Sequence, residues 1–197
     1  MITIVESGGA NISSILFALE RIGVNAEWTA DPDKIAKSAR VMLPGVGAAR
    51  DAMEQMRAKE LDQCVKSLTC PVFGICLGVQ MLFQHSEEGN ADMLGIIPAK
   101  VRRFDPEEEK TIPHMGWNNV AFADPQHPLL SEMRAEEYFY FVHSYFAPVG
   151  DYTLGACTYF SNDFSAIVAQ DNFMGCQFHP ERSGPAGSRI LENFSKL

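Results

Sequence analysis

The sequence predicts an α/β fold: one domain with a mostly parallel central sheet, helices on both faces and an antiparallel extension. Short runs rich in β-branched residues alternate with helical patterns over residues 1–84, and several of these runs end in glycine-rich loops. Such alternation is typical of a parallel sheet whose ligands bind at the carboxyl ends of the strands. Beyond Gly89 strand-like runs follow one another, which predicts the antiparallel part. A length of 197 residues suits one domain, so we expect a single domain over residues 1–197.

Strands and helices alternate in the first half of the chain. Residues 2–5 form a β-branched run, and Asn11 stands where a helix N-cap is expected. Apolar residues then follow helical spacing from Ile12 to Ile22, and Gly23 ends that helix. The further predicted strands are residues 24–29, 40–43 and 71–75, and the further predicted helices are residues 33–38, 49–68 and 77–84.

Strand-like runs separated by turns dominate the second half. The predicted strands are residues 101–104, 119–122, 138–142, 152–158, 165–169 and 173–178. A run of glutamates at residues 107–109 indicates a solvated loop. The sequence Ser-Gly-Pro at residues 183–185 opens a terminal helix, predicted over residues 186–194.

Charge and composition exclude several classes of function. The chain has 16 lysine and arginine residues against 25 aspartate and glutamate residues, a formal net charge of −9, and it has no basic run. Nucleic acid and anionic membranes are therefore not expected as partners. The N-terminus lacks the features of a signal peptide, and no apolar run is long enough to span a bilayer. We expect a cytoplasmic protein that acts on small molecules or proteins.

The cysteines indicate a reducing compartment. They number five and include no Cys-x-x-Cys pair, a pattern that favours reduced thiols over a disulfide framework or a zinc site. A lone cysteine is usually a small buried apolar residue, so most of them are expected to be inert. These are Cys64, Cys70, Cys157 and Cys176.

Cys76 differs from the other cysteines because a glycine stands two residues away on each side. Residues 74–78 have the sequence Gly-Ile-Cys-Leu-Gly, between a predicted strand and a predicted helix. An abrupt strand-to-helix turn brings neighbouring backbone close, so only glycine fits on either side of the exposed central residue. The helix N-terminus favours a thiolate, and its N–H groups, starting with that of Leu77, can stabilise an oxyanion.

A thiol nucleophile needs a base, and the tripeptide His179-Pro180-Glu181 can supply one. The residue before proline is biased to extended conformations, in which positions i and i+2 point to the same side. Glu181 could then hold one nitrogen of the His179 ring while the other faces Cys76. Each motif alone is weak evidence, since lone cysteines and histidines are usually structural. Both motifs at the ends of predicted strands favour a Cys-His-Glu triad.

These two motifs carry a family resemblance. Residues 74–80 and 179–181 resemble the two hallmark motifs of the class I, triad-type glutamine amidotransferases, which have a three-layer, flavodoxin-like fold. Four further stretches resemble the glutaminase subunits of imidazole glycerol phosphate synthases within that group, and the match spans nearly the whole chain. The departures are Glu6, where the family usually has Asp, and Val79, where it usually has Met. The four stretches are residues 7–11, 44–47, 113–118 and 140–145.

The resemblance implies hydrolysis of the side-chain amide of glutamine. Cys76 would attack the amide carbon, and His179, oriented by Glu181, would protonate the departing ammonia. The second oxyanion donor would be the N–H of Val46, after a peptide flip made easy by the glycines beside it. The alternative for this loop is an ordinary turn at a strand end.

The resemblance also implies binding residues. Those expected to bind glutamine are Gly47, Gln80, Ser144 and Tyr145. Gln80 lies one helical turn beyond Cys76 and therefore on the same helix face, although a glutamine at that position could also be merely solvated. Those expected at the partner face or the ammonia path are Asn11, Trp117 and Tyr140.

The implied partner is a separate (β/α)₈-barrel cyclase that uses the ammonia to make imidazole glycerol phosphate and AICAR in histidine biosynthesis. No cofactor is expected, and His114 and His143 lack the spacing of a zinc site. Two alternatives stay open. One is a glutaminase of the same fold that feeds another synthase, such as a sugar-amidating one. The other is a non-catalytic scaffold that only binds a partner.

Overall fold

Two sheets organise the part of the chain that the structure describes. The structure is a computed structural model, and it describes residues 1–7, 12–105 and 111–197. The larger sheet has nine strands, and in spatial order these are residues 26–29, 2–5, 41–45, 72–76, 173–176, 162–170, 153–159, 114–122 and 136–143. The smaller has four strands, in the order 145–146, 97–103, 83–86 and 91–92. The predicted N-cap Asn11 and the predicted loop at residues 107–109 lie outside the described residues.

The first half of the large sheet is parallel, as the alternation of strands and helices predicts. It contains β1 (Ile2–Val5), β2 (Ala26–Thr29), β3 (Val41–Gly45) and β4 (Val72–Cys76), and β13 (Phe173–Cys176) pairs parallel with β4. Every residue of β1, β3, β4 and β13 is buried, which is typical of parallel strands covered on both faces. The carboxyl ends of β3 and β4 therefore meet at one edge of the sheet.

Helices cover both faces of this parallel sheet. One face packs against α1 (Ile12–Arg21) and the terminal helix α6 (Gly184–Lys196). The other face packs against α2 (Pro32–Ala36), α3 (Ala49–Ala58) and α4 (Leu61–Lys66). None of the helices in the described ranges is long and apolar enough to cross a membrane.

Two predicted helices are wrong in extent. The predicted helix at residues 49–68 is divided into α3 and α4, because Glu60 adopts a left-handed conformation with φ 56°. The predicted helix at residues 77–84 ends early: α5 (Leu77–Gln80) is short, and β5 (Phe83–Ser86) follows it. Residues 77–83 are buried on all sides, and a short apolar run of this kind fits a buried strand as well as a helix.

The antiparallel extension is present and forms the other half of the large sheet. Its strands are β8 (His114–Phe122), β9 (Glu136–His143), β11 (Thr153–Tyr159) and β12 (Asn162–Gln170). Three of the four strands are longer than the sequence predicts, because their ends pair beyond the apolar runs, and β11 has the predicted length but is shifted by one residue. β12 pairs antiparallel with β13, which joins the two halves.

The small sheet is not predicted from the sequence as a separate unit. It contains β5, β6 (Ala91–Asp92), β7 (Ile97–Arg103) and β10 (Tyr145–Phe146). Only residues 101–104 of this set were expected as a strand, since strands of two to four residues leave little periodicity to detect. The chain passes from the large sheet to the small one at Ser144, between β9 and β10.

Candidate active site

Cys76 occupies a strained turn between β4 and α5. Its backbone has φ 54° and ψ −112°, a conformation that costs an L-residue about 1–3 kcal/mol. The turn brings α5 against β3, and a Cβ on Gly78 would lie 1.7 Å from the carbonyl oxygen of Leu43. Only glycine fits at residue 78 for this reason. The strand, turn and helix thus hold the Cys76 side chain at the carboxyl edge of the sheet.

His179 and Glu181 lie beside Cys76. Nδ1 of His179 is 2.9 Å from Oε1 of Glu181, and both side chains are buried. Burial by itself lowers the pKa of His179, but hydrogen bonds to Cys76 and Glu181, together with their negative charges, outweigh it and raise that pKa to about 10. The arrangement favours a charged imidazole next to the sulfur of Cys76, with the carboxylate holding the ring in place.

The His-Pro-Glu segment is fixed to β9 through its backbone. The N–H of His179 donates to the carbonyl of Tyr140 over 3.0 Å. The N–H of Tyr140 donates to Oγ of Ser183 over 3.0 Å, and that hydroxyl donates to the carbonyl of His179 over 2.7 Å. These hydrogen bonds link the triad directly to β9, on which Glu136 and Tyr138 are exposed.

A cavity of about 350 Å³ opens beside the triad. Its size is in the range of sites for small molecules. Its wall includes every residue that the sequence analysis assigned to the triad, the oxyanion site and glutamine binding. These are Val46, Gly47, Cys76, Leu77, Gln80, Ser144, Tyr145, His179 and Glu181.

The loop after β3 lies against the cysteine turn. Gly45 pairs in register with Cys76, and the hydroxyl of Ser7 donates to the carbonyl of Pro44 over 2.5 Å, which fixes the start of the loop. Val46 is 36% exposed, and Gly47 has φ 94° with no atom within 4 Å of an added Cβ. Gly47 thus lies in the cavity wall in a left-handed conformation that glycine adopts at little cost.

Gln80 is buried in the cavity wall with both amide hydrogens already in use. Nε2 donates to the carbonyl of Tyr145 over 3.0 Å and to Oε1 of Gln177 over 2.8 Å. Only its carbonyl oxygen remains to bind a ligand, so Gln80 can accept from a donor such as an ammonium or an amide N–H.

Glu88 is a cavity residue that the sequence analysis missed. One carboxylate oxygen accepts from the N–H of Ala49 over 2.9 Å, at the N-terminus of α3. Burial raises the pKa of Glu88, the hydrogen bond from Ala49 opposes this, and the charge of Asp51 adds to it. No pattern in the sequence marks Glu88, because residues 49 and 88 meet only in the folded chain.

Gln177 is the second missed residue. Its side chain is 1% exposed, and Nε2 lies 3.8 Å from Sγ of Cys76. The sequence contains part of the signal for its position. Residue 177 precedes His179 by two positions, and in an extended chain such residues lie on the same side.

His114 and His143 are buried and form a chain of hydrogen bonds. Nδ1 of His143 lies 2.8 Å from the carbonyl oxygen of Tyr145, and Nε2 lies 2.9 Å from Nδ1 of His114. Nε2 of His114 lies 3.3 Å from Nδ2 of Asn118. The carbonyl of Tyr145 thus accepts from both His143 and Gln80. Within the described ranges no group of three or more His, Cys, Asp and Glu residues could hold a metal ion.

Trp117 and Tyr140 lie opposite each other on β8 and β9, with ring centroids 6.2 Å apart. Trp117 is 57% exposed, and Met115 and Tyr138 on the same two strands are 62% and 61% exposed. Alternation along a strand puts these side chains on one face, which forms an exposed apolar surface. Asn11, also expected at the partner face, lies outside the described residues.

Comparisons with known proteins show which family the chain resembles. The family described as "Glutamine amidotransferase class-I" matches residues 3–197. The imidazole glycerol phosphate synthase subunit HisH of Shewanella oneidensis is 44% identical over 212 residues, which cover 100% of this chain and 96% of the relative. The HisH subunit of Pasteurella multocida is 45% identical, with 98% of this chain and 96% of the relative covered.

Solved structures share the fold at lower identity. A structure described as a glutamine amidotransferase has a TM-score of 0.75 at 16% identity and covers 99% of this chain and 97% of its own. The glutaminase domain of Trypanosoma brucei CTPS with bound acivicin has a TM-score of 0.69 at 15% identity, covering 99% and 93%. These structures show the fold, and the family match and the relatives at 44–45% identity show that the chain belongs to the class-I glutamine amidotransferases and, within them, to the HisH subunits of imidazole glycerol phosphate synthase.

Proposed function

We propose that this protein hydrolyses glutamine to glutamate and ammonia through Cys76, His179 and Glu181 and passes the ammonia to a cyclase partner. The observation that carries the proposal is the juxtaposition of Cys76, in its strained turn, with a buried His179 held 2.9 Å from Glu181. A thiol beside a charged imidazole is an activated nucleophile. The cavity of about 350 Å³ gives it access to a small substrate.

The reaction has two steps. The thiolate of Cys76 attacks the amide carbon, and His179 gives its proton to the departing ammonia, which leaves a glutamyl thioester. Water then attacks the thioester with His179 as the base, glutamate leaves, and the thiol is restored. Glu181 keeps the imidazole in the orientation needed for both transfers.

The tetrahedral oxyanion is held by backbone N–H groups. Leu77 supplies one from the start of α5, next to the attacking residue. Val46 supplies the other once its peptide flips toward the cavity. Gly47, with φ 94°, makes that flip accessible.

The charged groups of glutamine are recognised at the far end of the cavity. Glu88, whose carboxylate lines the cavity, holds the α-ammonium together with the free carbonyl oxygen of Gln80. The backbone of Ser144 and Tyr145, which two donors fix through the Tyr145 carbonyl, binds the α-carboxylate. Gly47 closes the same end of the cavity.

The cyclase partner, a (β/α)₈ barrel, docks on the apolar surface that includes Trp117 and Tyr140. Aromatic side chains with a polar rim are typical of interface hot spots. The cyclase combines the ammonia with its nucleotide to form imidazole glycerol phosphate and AICAR in histidine biosynthesis. The five cysteines are free, which suits a cytoplasmic compartment.

The test is glutamate release from glutamine, measured with the protein alone and then with a matching cyclase and its nucleotide ligand. We expect the free protein to be nearly inactive and the complete mixture to release glutamate at a much higher rate. Absence of a rise, with Cys76 still open to alkylation, would mean that the glutaminase serves a different synthase. Full activity of the free protein would refute activation by the partner.

A further inference from the structure

Gln177 is buried between two residues of the proposed active site. It follows β13, and its backbone N–H donates to the carbonyl of Ala166 over 2.9 Å, so its position is fixed by the sheet. Its side chain is 1% exposed and extends between Gln80 and Cys76. A buried amide in such a place must have partners for its polar atoms, or it would cost free energy.

The hydrogen-bond partners determine which way the Gln177 amide points. Oε1 of Gln177 accepts from Nε2 of Gln80 over 2.8 Å. Gln80 cannot turn its own amide over, because its Nε2 also donates to the carbonyl of Tyr145 over 3.0 Å. The oxygen of Gln177 is therefore held toward Gln80, and its N–H group faces Sγ of Cys76 over 3.8 Å.

The reversed orientation is excluded by the same groups. It would place two amide nitrogens, both donors only, against each other at the Gln80 contact. It would also turn a carbonyl oxygen toward a sulfur that carries negative charge in the thiolate form. The observed orientation instead gives both amide hydrogens of Gln80 an acceptor and aims an N–H of Gln177 at the reacting atom.

We propose that Gln177 donates an N–H to the Cys76 thiolate and, together with His179, stabilises and orients that thiolate for attack. The proposal deepens the proposed function and rests on it. Hydrogen bonds to charged acceptors are the stronger ones, so removing this donor should be measurable. Gln80 then has two tasks, since it holds Gln177 in place and offers its own carbonyl oxygen to the substrate.

The experiment uses two substitutions whose side chains are similar in length to that of glutamine. Gln177→Met removes the donor, and Gln177→Glu keeps the shape but places a carboxylate beside the sulfur. Gln84→Met, at an exposed position of β5, is the matched control. Thermal melting followed by circular dichroism checks that each full-length variant folds.

The primary measurement is the rate of Cys76 alkylation by iodoacetamide as a function of pH, followed by peptide mass spectrometry. Alkylation of Cys76 can be distinguished from that of the other cysteines, because burial raises the pKa of the other four thiols and slows their reaction. These are Cys64, Cys70, Cys157 and Cys176. We expect the alkylation profile of Gln177→Met to move to higher pH and that of Gln177→Glu to move further. In the complex with the cyclase, kcat should fall by about tenfold in Gln177→Met, with a smaller change in KM.

Four outcomes decide between the possibilities. An unchanged alkylation profile in a folded variant would overturn the proposal, and so would a rise in KM alone, because Gln177 would then only support Gln80. If both variants fail to fold, the side-chain amide resonance of Gln177 in the unsubstituted protein must move when Cys76 ionises, and a constant resonance overturns the proposal. The substitutions could shift the alkylation profile of Cys76 in a protein that releases no glutamate with its cyclase. That result would refute the proposed function and leave the role of Gln177 at Cys76 intact.

Discussion

Nδ1 of His114 lies 2.9 Å from Nε2 of His143 inside a cluster of aromatic rings. Burial keeps both rings neutral. In a neutral His143, Nδ1 must donate to the carbonyl of Tyr145, so Nε2 accepts and Nδ1 of His114 is the donor. Burial lowers the pKa of His114 to about 4 and that of His143 to about 3. At His143 the hydrogen bond to the carbonyl of Tyr145 opposes the shift, and the charges of His114 and His179 add to it.

This pair predicts a loss of stability in weak acid. An unfolded histidine has a pKa of 6.5, so below that pH the unfolded chain binds protons that the folded chain does not. The two neutral histidines make their full contribution to the free energy of unfolding above pH 6.5. That contribution is lost as the pH falls toward 4 for His114 and 3 for His143. The raised pKa of His179 has the opposite effect, but mainly between pH 10 and 6.5, so the test lies below that range. Urea unfolding at several pH values between about 6.5 and 5, above the range in which most carboxylates titrate, should show the free energy of unfolding decreasing as the pH falls. His143→Gln should flatten this dependence, and an unchanged slope in a folded variant would contradict the assignment.

Gly78→Ala should destabilise the protein strongly, because the new Cβ would lie 1.7 Å from the carbonyl oxygen of Leu43 and backbone must move. Overpacking against side chains costs about 1–3 kcal/mol, and here the obstacle is backbone, so we expect a loss above about 3 kcal/mol and a fall in Tm of more than about 6 °C. The control is Gly95→Ala, where φ is +71° but no atom lies within 4 Å. That variant should lose only about 1–2 kcal/mol for the left-handed conformation. Equal melting temperatures for the two variants would show that the turn tolerates a side chain.

Cys76→Ala should abolish glutamate release while leaving the fold and partner binding intact. The substitution removes only the sulfur of a residue in contact with the cavity. Hydrolysis should fall to background, and Tm should change by less than about 3 °C, the effect of roughly 1 kcal/mol. Activity assays, calorimetric melting and a binding measurement with the cyclase check these points. Hydrolysis at the rate of the unsubstituted protein would contradict the mechanism.

Glu88→Gln should weaken glutamine binding by removing charge from the cavity. The amide oxygen of the new side chain can still accept from the N–H of Ala49, so the start of α3 is retained. Loss of a hydrogen bond to a charged group predicts about a 10- to 100-fold increase in the Kd for glutamine. Calorimetry measures this Kd in a Cys76→Ala background, because that variant cannot hydrolyse the ligand.

The matched ligand for this test is glutaramate, which lacks the α-amino group of glutamine. It should bind the protein with Glu88 much more weakly than glutamine does, and the Glu88→Gln variant should show little difference between the two ligands. Additive losses from the substitution and the ligand change would place the ammonium elsewhere.

The sequence by itself determined the features that depend on nearby residues. The strand, tight turn and helix around Cys76 follow from glycines two residues away on each side, and the closeness of His179 to Glu181 follows from a proline between them. The parallel order of the first strands follows from their alternation with helices. These signals are local because backbone sterics and side-chain periodicity act over a few residues.

The tertiary structure decided which distant residues meet. Glu88 reaches the cavity because α5 ends at Gln80 and the chain turns into a small sheet, while the apolar run after residue 77 fits a longer helix equally well. Gln80 and Gln177 are 97 residues apart in the chain. Hydrophobic periodicity reports that a side chain is buried but not which polar partner it meets, so the orientation of the Gln177 amide and the neutral histidine pair became visible only in the folded protein.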